Sequence, residues 1–259
     1  MLVSKSQVKH IQSLGHKKFR DEEGVFVAEG PKIVGELLRI PGLPCRQLYA
    51  LREWIAGERA GIPAQEVGEA ELGRLSLLST PNQVVAVFAK PVFPPPDLAT
   101  GITLVLDGIR DPGNLGTLVR IADWFGLRGV VCSPDCADLY NPKTIQSTMG
   151  SVGRVPVIYR DPVAMVKEYP DLPVYVTMLG GSDLYAMQRI DRGLIVIGNE
   201  SKGVREGLKE LATARITIPG PGRAESLNAA VAAGIVLSHL VKEGVSGTGS
   251  PGRAGLSGR

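Results

Sequence analysis

The chain has 259 residues, enough for one large or two modest domains with a sizeable core. Its 29 basic residues against 26 acidic ones leave a net charge of +3, too small to identify a nucleic-acid partner, though unevenly distributed. Three cysteines (Cys45, Cys132, Cys136) and three histidines (His10, His16, His239) exclude a disulfide framework and form no metal-ligand spacing, so no metal is expected.

The first twenty residues hold Lys5, Lys9, Lys17, Lys18 and Arg20 and no acid. Such a run is a solvated surface or a set of phosphate contacts, and charge alone does not choose. The opening sequence MLVSK turns polar without the apolar core of a signal peptide, and no apolar run approaches membrane-spanning length. A reduced, cytoplasmic setting is expected.

Strand-like and helix-like pieces then alternate. Strands are predicted at residues 25–28, 47–50 and 84–88, with helices around 32–40, Trp54 and 69–77, which describes a small α/β domain. Four prolines within residues 89–101 cannot sustain a helix or a central strand, and the domain division is placed there. The resulting units are residues 1–90, a linker at 91–101, and a second domain at 102–243.

In that second domain short apolar strands are predicted at 102–106, 129–132, 155–159, 174–177, 194–197 and 216–218, mostly separated by helices. This alternation predicts a largely parallel sheet covered on both faces. A last helix is expected over residues 226–242, and residues 244–259, rich in Gly, Ser, Pro and Arg, read as a disordered tail.

Three segments here break a strand with turn residues and lead into a helix: LDGIRDPGNLGTLVR (106–120), IVIGNE (195–200) and ITIPGPGRAESLN (216–228). Ligands of open α/β sheets bind at such carboxyl ends of strands. Residues 114–125 predict an amphipathic helix with Leu115, Leu118, Val119 and Ala122 on its apolar stripe. Asn114 is then either the cap of that helix or a polar site residue. Arg120, off the stripe, either pairs with Asp123 or faces a ligand. Gly198 either makes an ordinary turn or lets the backbone approach a ligand closely. Ser226 reads equally as an N-cap.

In their order and spacing the three segments resemble the signature motifs of the SpoU/TrmH branch of the SPOUT RNA methyltransferases. Residues 5–29, with FVAEG at 26–30, and TPNQV at 80–84 resemble the L30e-like substrate-binding domain that precedes the catalytic domain in many members. The resemblance implies a parallel sheet with a trefoil knot, S-adenosylmethionine as methyl donor, and a homodimer that completes the site. The implied activity is 2′-O-ribose methylation of RNA, more in keeping with ribosomal than transfer RNA. It further implies catalytic roles for Arg120, Asn114, Glu200, Ser226 and Asn228, cofactor contacts at Leu179, Gly198, Ile218 and Leu227, and RNA contacts at Lys5, Lys9, Lys17, Lys18 and Arg20. Two other classes compete. One is a non-catalytic RNA-binding or ribosome-assembly protein with the same fold. The other is a nicotinamide enzyme, which the missing Gly-x-Gly-x-x-Gly loop after the 102–106 strand disfavours.

Overall fold

The computed structural model describes residues 3–57 and 63–241. The expected tail at 244–259 and the end of the last helix at Lys242 lie outside these residues.

Two helices that the sequence reading did not foresee begin the chain: α1 (Lys5–Ser13) and α2 (Lys17–Glu23). Ser4 caps α1 in a capping box with Gln7, and Gly24, at φ 64°, ends α2 in the left-handed conformation. There follow β1 (Val25–Glu29), α3 (Pro31–Leu38), β2 (Cys45–Ala50), α4 (Arg52–Gly57), β3 (Gln65–Glu66), α5 (Glu69–Leu75) and β4 (Val84–Ala89). These strands form one sheet in the order β1-β4-β2-β3.

The second half contains β5 (Ile102–Asp107), α6 (Pro112–Trp124), β6 (Gly129–Cys132), α7 (Pro142–Thr148), β7 (Val157–Tyr159), α8 (Pro162–Glu168) and β8 (Val174–Asp183). After these come β9 (Gly193–Gly198), α9 (Glu206–Glu210), β10 (Ala214–Thr217) and α10 (Ala229–Leu240). Their six strands pair in parallel throughout, in the order β10-β8-β9-β5-β6-β7, as the strand-helix alternation predicts. The last helix begins at Ala229, not at residue 226, because Asn228 rather than Ser226 caps it.

Period-2 alternation on β5 divides the core. Leu104 and Leu106 join the apolar cluster formed with α6 and α10, while Val105 packs with Met165, Val166 and Leu208 on the opposite face. The proline-rich stretch is more than a spacer, because its Leu98 is buried in that second cluster.

The two sheets are separate, but their packing is continuous. Phe26, Leu37 and Phe88 of the first half share one buried cluster with Ile145 and Val152 of the second. The Phe26 and Tyr140 rings meet at a tilt with centroids 5.4 Å apart, and Gln146 Nε2 donates to the Glu29 carbonyl at 2.9 Å. Burial pushes the Tyr140 hydroxyl up to about 12.

Candidate active site

Asp111 initiates α6. Its carboxylate accepts from the Asn114 backbone N–H at 2.8 Å, and Pro112 occupies the first helical turn, where no N–H partner is needed. That hydrogen bond holds the Asp111 carboxyl below the usual aspartate range, helped by Lys143. With Asp111 as the cap, the Asn114 side chain is released from capping. It reaches sideways instead: Asn114 Nδ2 donates to Glu200 Oε1 at 2.6 Å, and Asn114 Oδ1 accepts from Asn228 Nδ2 at 2.9 Å. Asn228 in turn caps α10, its Oδ1 accepting from the N–H groups of Ala230 and Val231. Thus one side chain from each of the three segments meets at a single exposed point.

Glu200 sits in a tight loop. Asn199 and Gly203 exchange backbone hydrogen bonds, and Asn199 Oδ1 accepts from the N–H groups of Ser201 and Lys202. This closure explains Gly198, where a Cβ would lie 2.5 Å from the backbone of Gly203 and Val204. The close approach that the glycine permits is made by the chain's own loop.

Not every expected residue joins the cluster. Arg120 is exposed on α6 and pairs neither with Asp123 nor with any other described residue; Asp123 is held by Arg154 and Ser151. Ser226 is exposed in the loop before α10 and makes no hydrogen bond to Asn114 or Glu200. Arg20 is a correction. It is only 2% exposed, donates to the carbonyls of Leu14 and Gly15, and forms an ion pair with Asp138 of the second half at 2.5 Å. A side chain so placed cannot reach an RNA phosphate. Lys5, Lys9, Lys17 and Lys18 are exposed, with Lys5 and Lys9 one turn apart on α1.

Gly198 ends β9, Ile218 directly follows β10, Leu179 lies within β8 between those two strands, and Leu227 immediately precedes Asn228. Leu179 stands on a bulge. The β8 partner of β10 jumps from Val176 to Ser182 while β10 advances from Arg215 to Ile216. Gly181 lets the returning bulge press on the Arg215 backbone, and Leu179 is left 70% exposed. Exposed apolar side chains beside strand-end main chain fit a nucleoside-bearing cofactor.

Sequence reasoning missed the groups beneath these loops. Asp107, at the end of β5, receives the Arg205 guanidinium at 2.5 Å and the Arg205 backbone N–H at 2.6 Å. The signal was present as an acid opening the first segment and a base just past the second.

Residues 101–238 match the SpoU rRNA Methylase family, and residues 5–86 match the MRM3-like substrate binding domain. The chain belongs to the SpoU rRNA methylase family. It is, accordingly, an S-adenosylmethionine-dependent RNA methyltransferase with the SpoU fold. A Bacillus subtilis SpoU-type relative, named 23S rRNA (guanosine(2553)-2′-O)-methyltransferase, is 35% identical over 90% of this chain and 95% of its own. The AdoMet-bound rRNA methyltransferase from Sinorhizobium meliloti superposes with a TM-score of 0.79 at 32% identity, covering 92% of this chain and 95% of that one. A structure described as an RNA 2′-O ribose methyltransferase gives a TM-score of 0.78 at 27% identity, covering 91% and 95%. Among the described residues of this SpoU protein, no group of His, Cys, Asp or Glu could hold a metal, and no helix is long and apolar enough to cross a membrane.

Proposed function

We propose that this SpoU protein methylates a ribose 2′-hydroxyl of ribosomal RNA at the cluster of Asn114, Glu200 and Asn228. The observation that carries the reading is the Asn228–Asn114–Glu200 hydrogen-bonded line, which joins the three segments at one exposed point. A binding protein that had lost catalysis would have no need to keep it. The ribosomal assignment follows the named activity of the Bacillus relative.

Leu179, Ile218 and Leu227 would pack on the adenosine part of the cofactor, with Gly198 offering main-chain groups. The cofactor supplies an electrophilic methyl group on a sulfonium. A ribose hydroxyl is a weak nucleophile until its proton is partly withdrawn, and it must stand in line with that methyl. Arg120, effectively always protonated, serves as an electrostatic group: it binds the neighbouring phosphate and polarises the hydroxyl. The proton then passes to a phosphate oxygen or to water. Asn114, Glu200 and Asn228 fix the loops and the ribose, and Ser226, exposed in the preceding loop, would reach the ribose only once RNA is bound.

Arg120 lies about 9 Å along α6 from Asn114, at 1.5 Å per residue, and makes no hydrogen bond or ion pair with the cluster. A homodimer in which α6 and α10 face a second copy would bring one subunit's Arg120 to the other's cluster. Exposed apolar side chains on those helices support it: Trp124 is 75% and Val231 52% exposed. A trefoil knot is supported by the pairing of Val241, after α10, with Ile190 in the connection between β8 and β9. The exposed lysines Lys5, Lys9, Lys17 and Lys18 of α1 and α2 would meet phosphates, setting affinity and register. Action on ribosomal RNA, as named for the Bacillus relative, would fit the cytoplasm as the place of work.

The test is transfer of labelled methyl from S-adenosylmethionine to ribosomal and to transfer RNA, each isolated without the modification. Label in ribosomal RNA that co-migrates with 2′-O-methylated nucleosides is the expected result. Label only in transfer RNA, or only in a base, would overturn the assignment.

A further inference from the structure

We propose that Arg205 and Asp107 are positioning residues for methyl transfer: their ion pair clamps the loop that carries Glu200 to the strand end that leads to Asn114. The inference rests on the active-site reading above.

Asp107 is 3% exposed, so its carboxylate needs full compensation inside the protein. Arg205 provides it through the backbone N–H at 2.6 Å, Nε at 2.6 Å and Nη2 at 2.5 Å. At the other end of the loop, Asn199 Nδ2 donates to the Gly108 carbonyl at 2.8 Å. Residues 199 and 205, which bracket Glu200, are therefore pinned to the consecutive residues 107 and 108. The same connection continues to Asn114 within two turns.

A third strand end is tied in. Arg205 Nη2 also donates to Asp135 Oδ1 at 3.1 Å, Ser133 Oγ donates to the same oxygen at 2.6 Å, and the Gly108 N–H donates to Ser133 Oγ at 2.8 Å. The carboxylates hold the Arg205 guanidinium even more firmly charged than usual, Asp107 foremost. The ends of β5, β6 and β9 are locked together under the catalytic line. Neither Arg205 nor Asp107 hydrogen-bonds to Asn114, Glu200 or Asn228, so their effect is exerted through the loop.

The experiment measures kcat and KM for RNA and cofactor with the full chain, as Arg205→Ala, Arg205→Lys, Asp107→Asn, Glu200→Ala and the Arg205→Ala/Glu200→Ala double variant, with a thermal melt of each. The expected result is a fall in kcat of about 10- to 100-fold for Arg205→Ala, the size of effect that misplacing a site by about 1 Å produces. Arg205→Lys recovers part of that rate. In the Glu200→Ala background the same substitution costs less than about threefold, since groups acting as a unit are non-additive. Should Arg205→Ala not fold, Asp107→Asn, which keeps the volume but removes the charge and one of the two acceptor oxygens, is paired with Glu200→Ala in its place. Additive losses, or a change confined to melting temperature, would overturn the inference alone. Absence of methyl transfer by the unaltered chain would overturn the active-site reading and the inference with it.

Discussion

At the scale of single residues, Asn114 had two plausible duties in sequence, and the side chain three positions earlier chose between them. An Asp-Pro-Gly-Asn run offers two capping residues, and the proline fixes which one stands before the first turn. Capping falls to Asp111, which leaves Asn114 for Glu200 and Asn228. Removing the cap in Asp111→Ala should cost about 1 kcal/mol of stability at neutral pH. The folded state depresses the Asp111 pKa, so this contribution is present above the ordinary aspartate value, about pH 4, and is lost as pH falls through the lowered value. Melting curves of the two proteins should therefore converge in acid. A gap that widens as pH falls would contradict the capping role. Arg20 carries the opposite lesson. Its neighbours Lys17 and Lys18 face solvent while it turns inward, and no local pattern reveals a partner 118 positions away.

At the scale of elements, strands were legible because buried parallel strands are short apolar runs bounded by turn residues, and all six of the larger sheet lie where those runs lie. The helices α1 and α2 were not, since their polar, lysine-rich sequences bury only Ile11 and Arg20. Helix packing around the first segment turns on a missing side chain. A Cβ on Gly116 would come within 2.4 Å of the Thr144 carbonyl and 2.6 Å of Ser147 Cβ, so α6 lies directly on α7. Gly116→Ala should destabilise the fold by about 1–3 kcal/mol through overpacking, read by denaturant titration. A neutral or stabilising result, as helix propensity alone would give, would show that the two helices can part freely. The β8 bulge that presents Leu179 also escaped the sequence, because pairing register between distant strands leaves little local trace.

At the scale of the whole molecule, the two halves are joined more closely than the proline-rich boundary suggests. Arg20 reaches Asp138, Lys90 sits 4.8 Å over the Tyr140 ring, and a shared apolar cluster runs between the sheets. Arg20→Ala removes the buried guanidinium and its hydrogen bonds and should lower stability by about 1.5–3 kcal/mol, less than for a fully buried pair because the Asp138 side chain keeps 22% exposure. A loss below about 1 kcal/mol in a chemical melt would reduce this link to a surface contact. The proposed exchange of Arg120 across a dimer makes its own prediction. Arg120→Ala and Glu200→Ala proteins, each reduced at least about 100-fold, should recover about a quarter of full activity when unfolded and refolded together in equal amounts, because half of the dimers then hold one intact site. No recovery would place Arg120 and Glu200 in the same subunit's site.

The most direct measurement is nucleoside mass spectrometry of unmodified ribosomal RNA after incubation with S-adenosylmethionine and either the unaltered chain, Arg120→Ala or Asn114→Ala. The expected result is a single 2′-O-methylated nucleoside with the unaltered chain, reduced at least about 100-fold in both variants, the scale seen when one stabilising donor is removed from a reacting centre. Undiminished product with both variants would contradict the assignment of the chemistry to this cluster.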